Sequence, residues 1–126
     1  MKKKILVPIM IVVLLIAMAT TAYATTKTCT LDASNKLSVK TGSLSGSSLY
    51  IAAYNQTFST NDLIARPQYQ VGSEYEAEGY IQLDPGEYYG KPQGHIMNSY
   101  LINWRTKLYS LGNDGGAAGV GSISDL

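Results

Sequence analysis

The chain has 126 residues and a formal net charge of +1, but three of its ten basic residues are the lysines at positions 2–4. Residues 25–126 therefore carry seven basic residues against nine acidic ones, a net charge of −2. That balance gives no electrostatic basis for binding nucleic acid or an anionic membrane, and the lone cysteine, Cys29, excludes a disulfide within the chain.

The first 24 residues have the order of a secretory signal. Three lysines precede a charge-free stretch, residues 5–19, and the small residues Ala22 and Ala24 follow. This order predicts a signal peptide over residues 1–24, with cleavage before Thr25. We therefore expect a secreted, extracellular protein, residues 25–126, without stable membrane association after cleavage.

Two alternatives to cleavage remain at the sequence level. An uncleaved anchor would need about 20 apolar residues, more than the charge-free stretch supplies. A lipoprotein would be modified at Cys29, but Lys27 and Thr28 precede that cysteine and argue against lipidation.

The first half of the predicted domain alternates between apolar and polar residues, as strands do. We expect a loose lead-in over residues 25–35, a short strand over 36–41 and a strand covered on both faces over 49–58. Residues 63–71 also alternate, but Pro67 in their middle cannot donate to a ladder. That strand should therefore be an edge or carry a bulge.

The second half contains the clearest alternation, over residues 75–83. Asp84-Pro85-Gly86-Glu87 follows and predicts a type II turn leading into a returning strand at 87–89. Residues 96–108 predict one long strand with a bulge, in which Trp104 faces the core. Its parity is shared by four residues: Ile96, Tyr100, Ile102 and Leu108.

Half of residues 112–121 are glycine, which predicts either a flexible tail or a tight glycine-lined loop. With no amphipathic helix in the pattern, we expect an all-β fold. The predicted architecture is a small antiparallel β-sandwich or barrel-like domain over residues 25–126.

No residue is predicted to be catalytic or to bind a metal or cofactor. His95 is the only histidine, and it lacks the nucleophile context G-x-S-x-G. Glu74, Glu76 and Glu78 would lie about 7 Å apart on one strand face. We interpret them as a solvated face, with a weak Ca²⁺ site as the functional alternative.

The tyrosines give the strongest hint of a binding surface. The chain has ten tyrosines against one tryptophan and one phenylalanine, and flat aromatic rings on a sheet can hold sugars. The alternative is ordinary packing between two layers. The candidate ligand-contact residues are Tyr50, Tyr54, Tyr80, Tyr88 and Tyr89.

These observations favour a secreted, non-enzymatic binding or interaction protein with a cell-surface or carbohydrate ligand. No motif assigns the chain to a family or identifies the partner. Two other functions remain: a secreted antagonistic protein of the bacteriocin type, and a small hydrolase.

Overall fold

The computed structural model describes residues 25–125, and the predicted signal peptide lies outside the described residues. Within this range the chain forms ten β-strands and a short 3-10 turn at Leu111–Asn113. The strands are β1 Thr26–Leu31, β2 Val39–Lys40, β3 Ser48–Asn55, β4 Leu63–Val71, β5 Glu74–Ala77, β6 Ile81–Leu83, β7 Tyr88–Tyr89, β8 His95–Met97, β9 Trp104–Ser110 and β10 Gly119–Ser124.

The strands form two sheets, each with an interrupted edge strand. The first sheet has the order β1-β10-β3, and both β7 and β8 pair with the free side of β3. The second has the order β2-β9-β4, and both β5 and β6 pair with the free side of β4. Counting each interrupted edge as one strand leaves two layers of about four strands, the jelly-roll arrangement of a β-sandwich. The prediction of an all-β sandwich is thus confirmed.

The core lies between the two sheets and follows the alternation of the strands. One cluster centres on Leu63, Leu108 and Leu31, which are at most 1% exposed. A second cluster contains Leu49, Ile51, Trp104 and Ile123. Because the layers are separate sheets joined by crossovers, the barrel-like alternative does not apply.

The lead-in predicted for residues 25–35 is wrong in its first half. Residues Thr26–Leu31 form β1, which pairs antiparallel with β10 from Thr26 opposite Ser124 to Leu31 opposite Gly119. Threonine-rich sequence suits a strand because β-branched side chains favour the extended backbone. The polar composition indicates an edge strand rather than a loop.

Pro67 lies within β4, which is a central strand, and it coincides with a break in the neighbouring edge. On the β9 side, Thr106 directs its carbonyl to Thr41 N–H and its N–H to Thr41 Oγ1. Pro67 must therefore direct its backbone to the other side, where its carbonyl accepts from Glu78 N–H. The missing N–H of Pro67 faces residues 78–80, which separate β5 from β6. Neither predicted alternative holds for β4 itself: it is a central strand whose register with β9 is continuous, and the extra residue lies in the interrupted edge strand beside it.

Two predicted connections are wrong. At each of them the chain passes from one sheet to the other, although the alternation of apolar and polar residues in the sequence continues. The type II turn at residues 84–87 forms, with Glu87 N–H donating to Asp84 O at 3.0 Å. However, it joins β6 of the second sheet to β7 of the first instead of returning beside β6. Residues 96–108 likewise contain β8 in the first sheet and β9 in the second, rather than one long strand.

The glycine-rich segment is ordered and ends in the middle of a sheet. After a loop over residues 114–118, β10 lies between β1 and β3. Gly119 and Gly121 face Leu63 and Leu108 of the opposite sheet at distances that leave almost no room for a Cβ atom. The absent side chains let two leucines cross the space between the sheets.

Candidate functional site: a cleft between the interrupted edges

The two interrupted edge strands frame an open cleft. β5 and β6 are separated by residues 78–80, and β7 and β8 are separated by residues 90–94. Both breaks line the same cleft between the sheets, which has a volume of about 410 Å³. That volume lies within the range of sites for small ligands.

The cleft combines an apolar base with polar and aromatic groups. Ile51, Ile81 and Trp104 belong to the second core cluster or pack against it, and they also line the cleft. Tyr80, with 63% of its surface exposed, and Glu78 enter from the β5–β6 break. The other side is formed by Tyr89, Gln93, Gly94, His95, Ile96 and Met97.

The loop over residues 90–94 is held by two hydrogen bonds and by a close approach of its backbone to β3. Ile51 N–H donates to Gly94 O at 2.9 Å, and the Tyr89 hydroxyl donates to Gln93 O at 2.7 Å. A side-chain carbon at Gly94 would overlap the carbonyl oxygen of Ile51. Glycine at this position therefore lets the loop backbone lie directly against β3 and fixes that side of the cleft.

The five predicted tyrosines do not share one surface. Tyr80 and Tyr89 line the cleft, whereas Tyr50, Tyr54 and Tyr88 lie on the outer face of the first sheet. Tyr88 is directly opposite Tyr54 and is 46% exposed. Tyr54 is 4% exposed, so it must be removed from the candidate contact residues: β3 is covered on both faces at that point.

Tyr50 belongs to a stack of three side chains beside the cleft. Its ring lies on the His95 ring with centroids 4.7 Å apart, and Lys91 Nζ lies 4.3 Å from the Tyr50 centroid. His95 lies directly opposite Tyr50 in the β3–β8 pairing. The stack fixes the start of β8 at the rim of the cleft.

The structure also places a serine beside His95, which the sequence analysis did not anticipate. Ser48 Oγ and His95 Nε2 are hydrogen-bonded, the first element of a serine–histidine–acid arrangement. The side-chain partners of His95 are Ser48 and the Tyr50 ring, and neither is a carboxylate that would orient the imidazole. Ser48 could be found only through the strand register, since it is 47 residues away in sequence.

Near the base of the cleft, Tyr69 connects the aromatic core to the glutamates. Its ring lies 5.2 Å from that of Trp104, and its hydroxyl donates to Glu76 Oε2 at 3.2 Å. The hydrogen bond to Glu76 raises the pKa of Tyr69, and the negative charges of Glu76 and Glu78 raise it further. Glu76, one of the three glutamates interpreted above as a solvated face, thus accepts a hydrogen bond from a tyrosine hydroxyl.

Three exposed apolar side chains, one in the cleft and two in the turn after β8, were missed by the sequence analysis. Met97 lines the cleft and is 73% exposed, and the turn that follows it presents Tyr100 at 90% and Leu101 at 59% exposure. Tyr100 was predicted to face the core with Trp104. It does not, because the chain leaves β8 after Met97 and the alternation that relates Tyr100 to Trp104 is broken.

Cys29 and the acidic residues are the sequence candidates that remain to be placed. The Cys29 thiol packs against the first core cluster. Burial raises its pKa from 9.0 to about 11, partly offset by a backbone hydrogen bond from Gly121, so the reactive thiolate is disfavoured at neutral pH. Among residues 25–125, no three His, Cys, Asp or Glu side chains are grouped as metal ligands.

The same described range contains no helix with the length and hydropathy of a transmembrane span.

No protein-family model and no curated protein matches this chain. Among solved structures, it is similar to the crystal structure of PirA, with a TM-score of 0.52 and 12% identity over 82% of this chain and 93% of PirA. It also matches the Yersinia pseudotuberculosis-derived mitogen, with a TM-score of 0.44 and 16% identity over 80% of this chain and 82% of the mitogen. The similarity to PirA supports the two-sheet fold and, at 12% identity, leaves the ligand open.

Proposed function

We propose that this protein is exported and acts as a non-enzymatic binding protein that holds a carbohydrate in the cleft between its interrupted sheet edges. The observation that carries the proposal is the cleft itself: an open volume of about 410 Å³ with an exposed tyrosine on one side and polar groups on the other. Export is supported by the order of features in residues 1–24.

The cleft chemistry suits a sugar ring. A sugar presents an apolar face of C–H groups and a rim of hydroxyls, so it needs a flat ring for the first and hydrogen-bonding groups for the second. Tyr80 supplies an exposed ring. Glu78 and Gln93 line the same cleft and can accept or donate hydrogen bonds. Small-ligand sites typically combine apolar and aromatic surface with a small number of polar groups that set the orientation of the ligand.

A glycan-binding assay tests the proposal through Tyr80. The purified protein is screened against an array of neutral glycans, and the affinity for the best glycan is measured by calorimetry. Tyr80→Ala removes the exposed ring, and we expect it to weaken binding by about tenfold or more, as loss of an aromatic anchor does.

Phe58→Ala is the matched control, because Phe58 is 52% exposed and lies outside the cleft lining. It should bind as the parent does. Equal losses in the two variants, or no binding to any glycan, would contradict the cleft proposal. A zone of growth inhibition around the purified protein would instead favour an antagonistic function.

The Ser48–His95 hydrogen bond is the one observation that favours a hydrolase as the second candidate. Under the binding proposal, activated ester substrates are turned over no faster by the parent than by Ser48→Ala. A loss of 10²-fold or more in Ser48→Ala and in His95→Ala, the size expected for a nucleophile or general base, would establish the hydrolase instead.

A further inference from the structure

The outer face of the second sheet carries a row of positive charges that the strand register brings together. Lys40 of β2 lies opposite Lys107 of β9, and Lys107 lies opposite Arg66 of β4. Arg105 lies two residues before Lys107, on the same face of β9. With strands about 4.8 Å apart and about 3.4 Å per residue, these four cations occupy a patch roughly 10 Å by 7 Å. We call it the basic face.

The hydrogen-bond and aromatic partners of these cations are uncharged. Arg66 Nε donates to Gly79 O at 3.2 Å, and Arg105 Nε donates to Gln68 Oε1 at 2.8 Å. Arg105 also lies 3.7 Å from the centroid of the Tyr75 ring, and the Lys107 ammonium lies 5.4 Å from that of Tyr109. The basic face therefore retains its positive potential for an external anion.

The mutual repulsion of these cations works against the stability of the fold. Like charges directly opposite each other on neighbouring strands are destabilising. Partial burial lowers the pKa of Lys107, and the positive charges of Lys40, Arg66 and Arg105 lower it further. A sequence with nine acidic residues could have placed one beside these cations, so the uncompensated row suggests a function.

The basic face borders an open depression of about 670 Å³ without a carboxylate in its lining. Lys36 adds a further cation there, so five of the seven basic residues in 25–126 lie on this side of the molecule. The net charge of −2 conceals this concentration. The lining is Lys36, Leu37, Ser38, Lys40, Arg66, Lys107, Tyr109 and Asn113, and none of these residues lines the cleft.

We propose that the basic face binds an acidic polysaccharide, a polymer bearing carboxylate or sulfate groups at regular spacing. A row of cations across adjacent strands suits a linear chain of anions lying across the sheet. Nucleic acid fits less well. Duplex DNA is read by a helix or β-ribbon that enters a groove, which a flat sheet face does not provide. Single strands need free aromatic platforms, and the rings of Tyr75 and Tyr109 already carry cations.

Binding of the purified protein to heparin and to alginate, with neutral dextran as a blank, tests the proposal. We expect binding to at least one of the two acidic polymers, weakening as salt is added, and none to dextran. The double variant Lys40→Gln/Lys107→Gln should bind about 30-fold less tightly, the effect of removing two cations that face an anionic surface. Its folding should be unimpaired, because the change relieves repulsion.

The matched control is Lys27→Gln/Lys91→Gln, which removes the same charge from outside the basic face and should bind almost as the parent does. An equal loss in both double variants would show attraction to overall charge and overturn the proposal. Tighter binding to single-stranded DNA or to anionic lipid vesicles than to either polysaccharide would also overturn it. Tyr80→Ala should leave this binding unchanged, so the result is independent of the cleft.

Discussion

At the scale of single residues, Trp104 packs with Leu49, Ile51 and Ile123 in the second core cluster. Trp104 and Leu108 lie on the same side of β9, at 6% and 0% exposure, and Trp104 is the core anchor that its parity predicted. Tyr100 has the same parity but is 90% exposed. Period-two alternation relates two residues only if every residue between them is extended, and residues 98–103 lie outside the strands.

Trp104→Ala should reduce the free energy of unfolding by about 3–5 kcal/mol, because it removes a large buried side chain from the second core cluster. Urea unfolding measures the loss. Since Trp104 is the only tryptophan, the parent should show blue-shifted emission that acrylamide quenches poorly.

Trp104→Phe is the control, a smaller truncation of the same side chain. It keeps an aromatic ring but removes the Nε1–H donation to Asn98 Oδ1 at 3.3 Å, and should cost clearly less than Trp104→Ala. A Trp104→Ala variant as stable as the parent would place the ring outside the core.

At the scale of the element, turn chemistry is local and could be predicted, whereas sheet membership could not. Gly86 has the positive φ of 90° that the third position of a type II turn requires. Nothing within residues 84–87 states which sheet the next strand joins, because that depends on the free edge of β3, about 30 residues earlier. The glycine-rich segment was similarly ambiguous. The need for glycine at Gly119 and Gly121 is evident only once the leucines that face them, Leu63 and Leu108, are known.

Gly119→Ala tests whether β10 requires glycine for packing. An added Cβ would lie 2.6 Å from Leu63 Cδ2, and Leu63 is fully buried, so neither group can move freely. We expect a loss of about 1–3 kcal/mol in stability, the usual cost of overpacking, measured by chemical denaturation.

Gly42→Ala is the matched control, since its Cβ would make ordinary contacts, the nearest at 3.5 Å from Lys27. Shortening the opposing side chain in the double variant Gly119→Ala/Leu63→Val should cost less than the two single changes together. Additive losses would indicate that backbone conformation rather than the leucine contact makes glycine necessary.

For the molecule as a whole, the candidate sites depend on register that the sequence does not state. Tyr80 and Tyr89 of the cleft were predicted from residue type, but Met97 and Gly94 become cleft residues only because two separate edge interruptions coincide. The basic face likewise joins Lys40, Arg66 and Lys107, which are far apart in the chain. The net charge of −2 concealed two local groupings of charge: the basic face, and a group of acidic residues at one end of the second sheet.

That acidic grouping predicts how stability depends on pH. Asp62 precedes β4, Asp84 follows β6, and Glu87 closes the turn, so the three carboxylates lie at one end of the second sheet. The negative charge of Asp62, followed by that of Glu87, raises the pKa of Asp84 above its usual value. The folded state therefore holds this proton to a higher pH than the unfolded chain does. The corresponding stability is fully present below the usual carboxyl pKa and is lost as pH rises through the raised value.

Asp84→Asn should therefore melt at a higher temperature than the parent at pH 7, where it removes the repulsion among the three carboxylates. The gain should shrink towards zero near pH 3, where the parent carboxyl is also largely neutral. The turn is retained, because its hydrogen bond uses the Asp84 carbonyl. Thermal unfolding of both proteins between pH 3 and pH 7 measures the difference.

Glu74→Gln, which removes an exposed carboxylate at the start of β5, controls for the change in net charge. A gain that is equal at all pH values, or equal in the two variants, would show that the grouping of Asp84 with Asp62 and Glu87 does not govern the pH dependence.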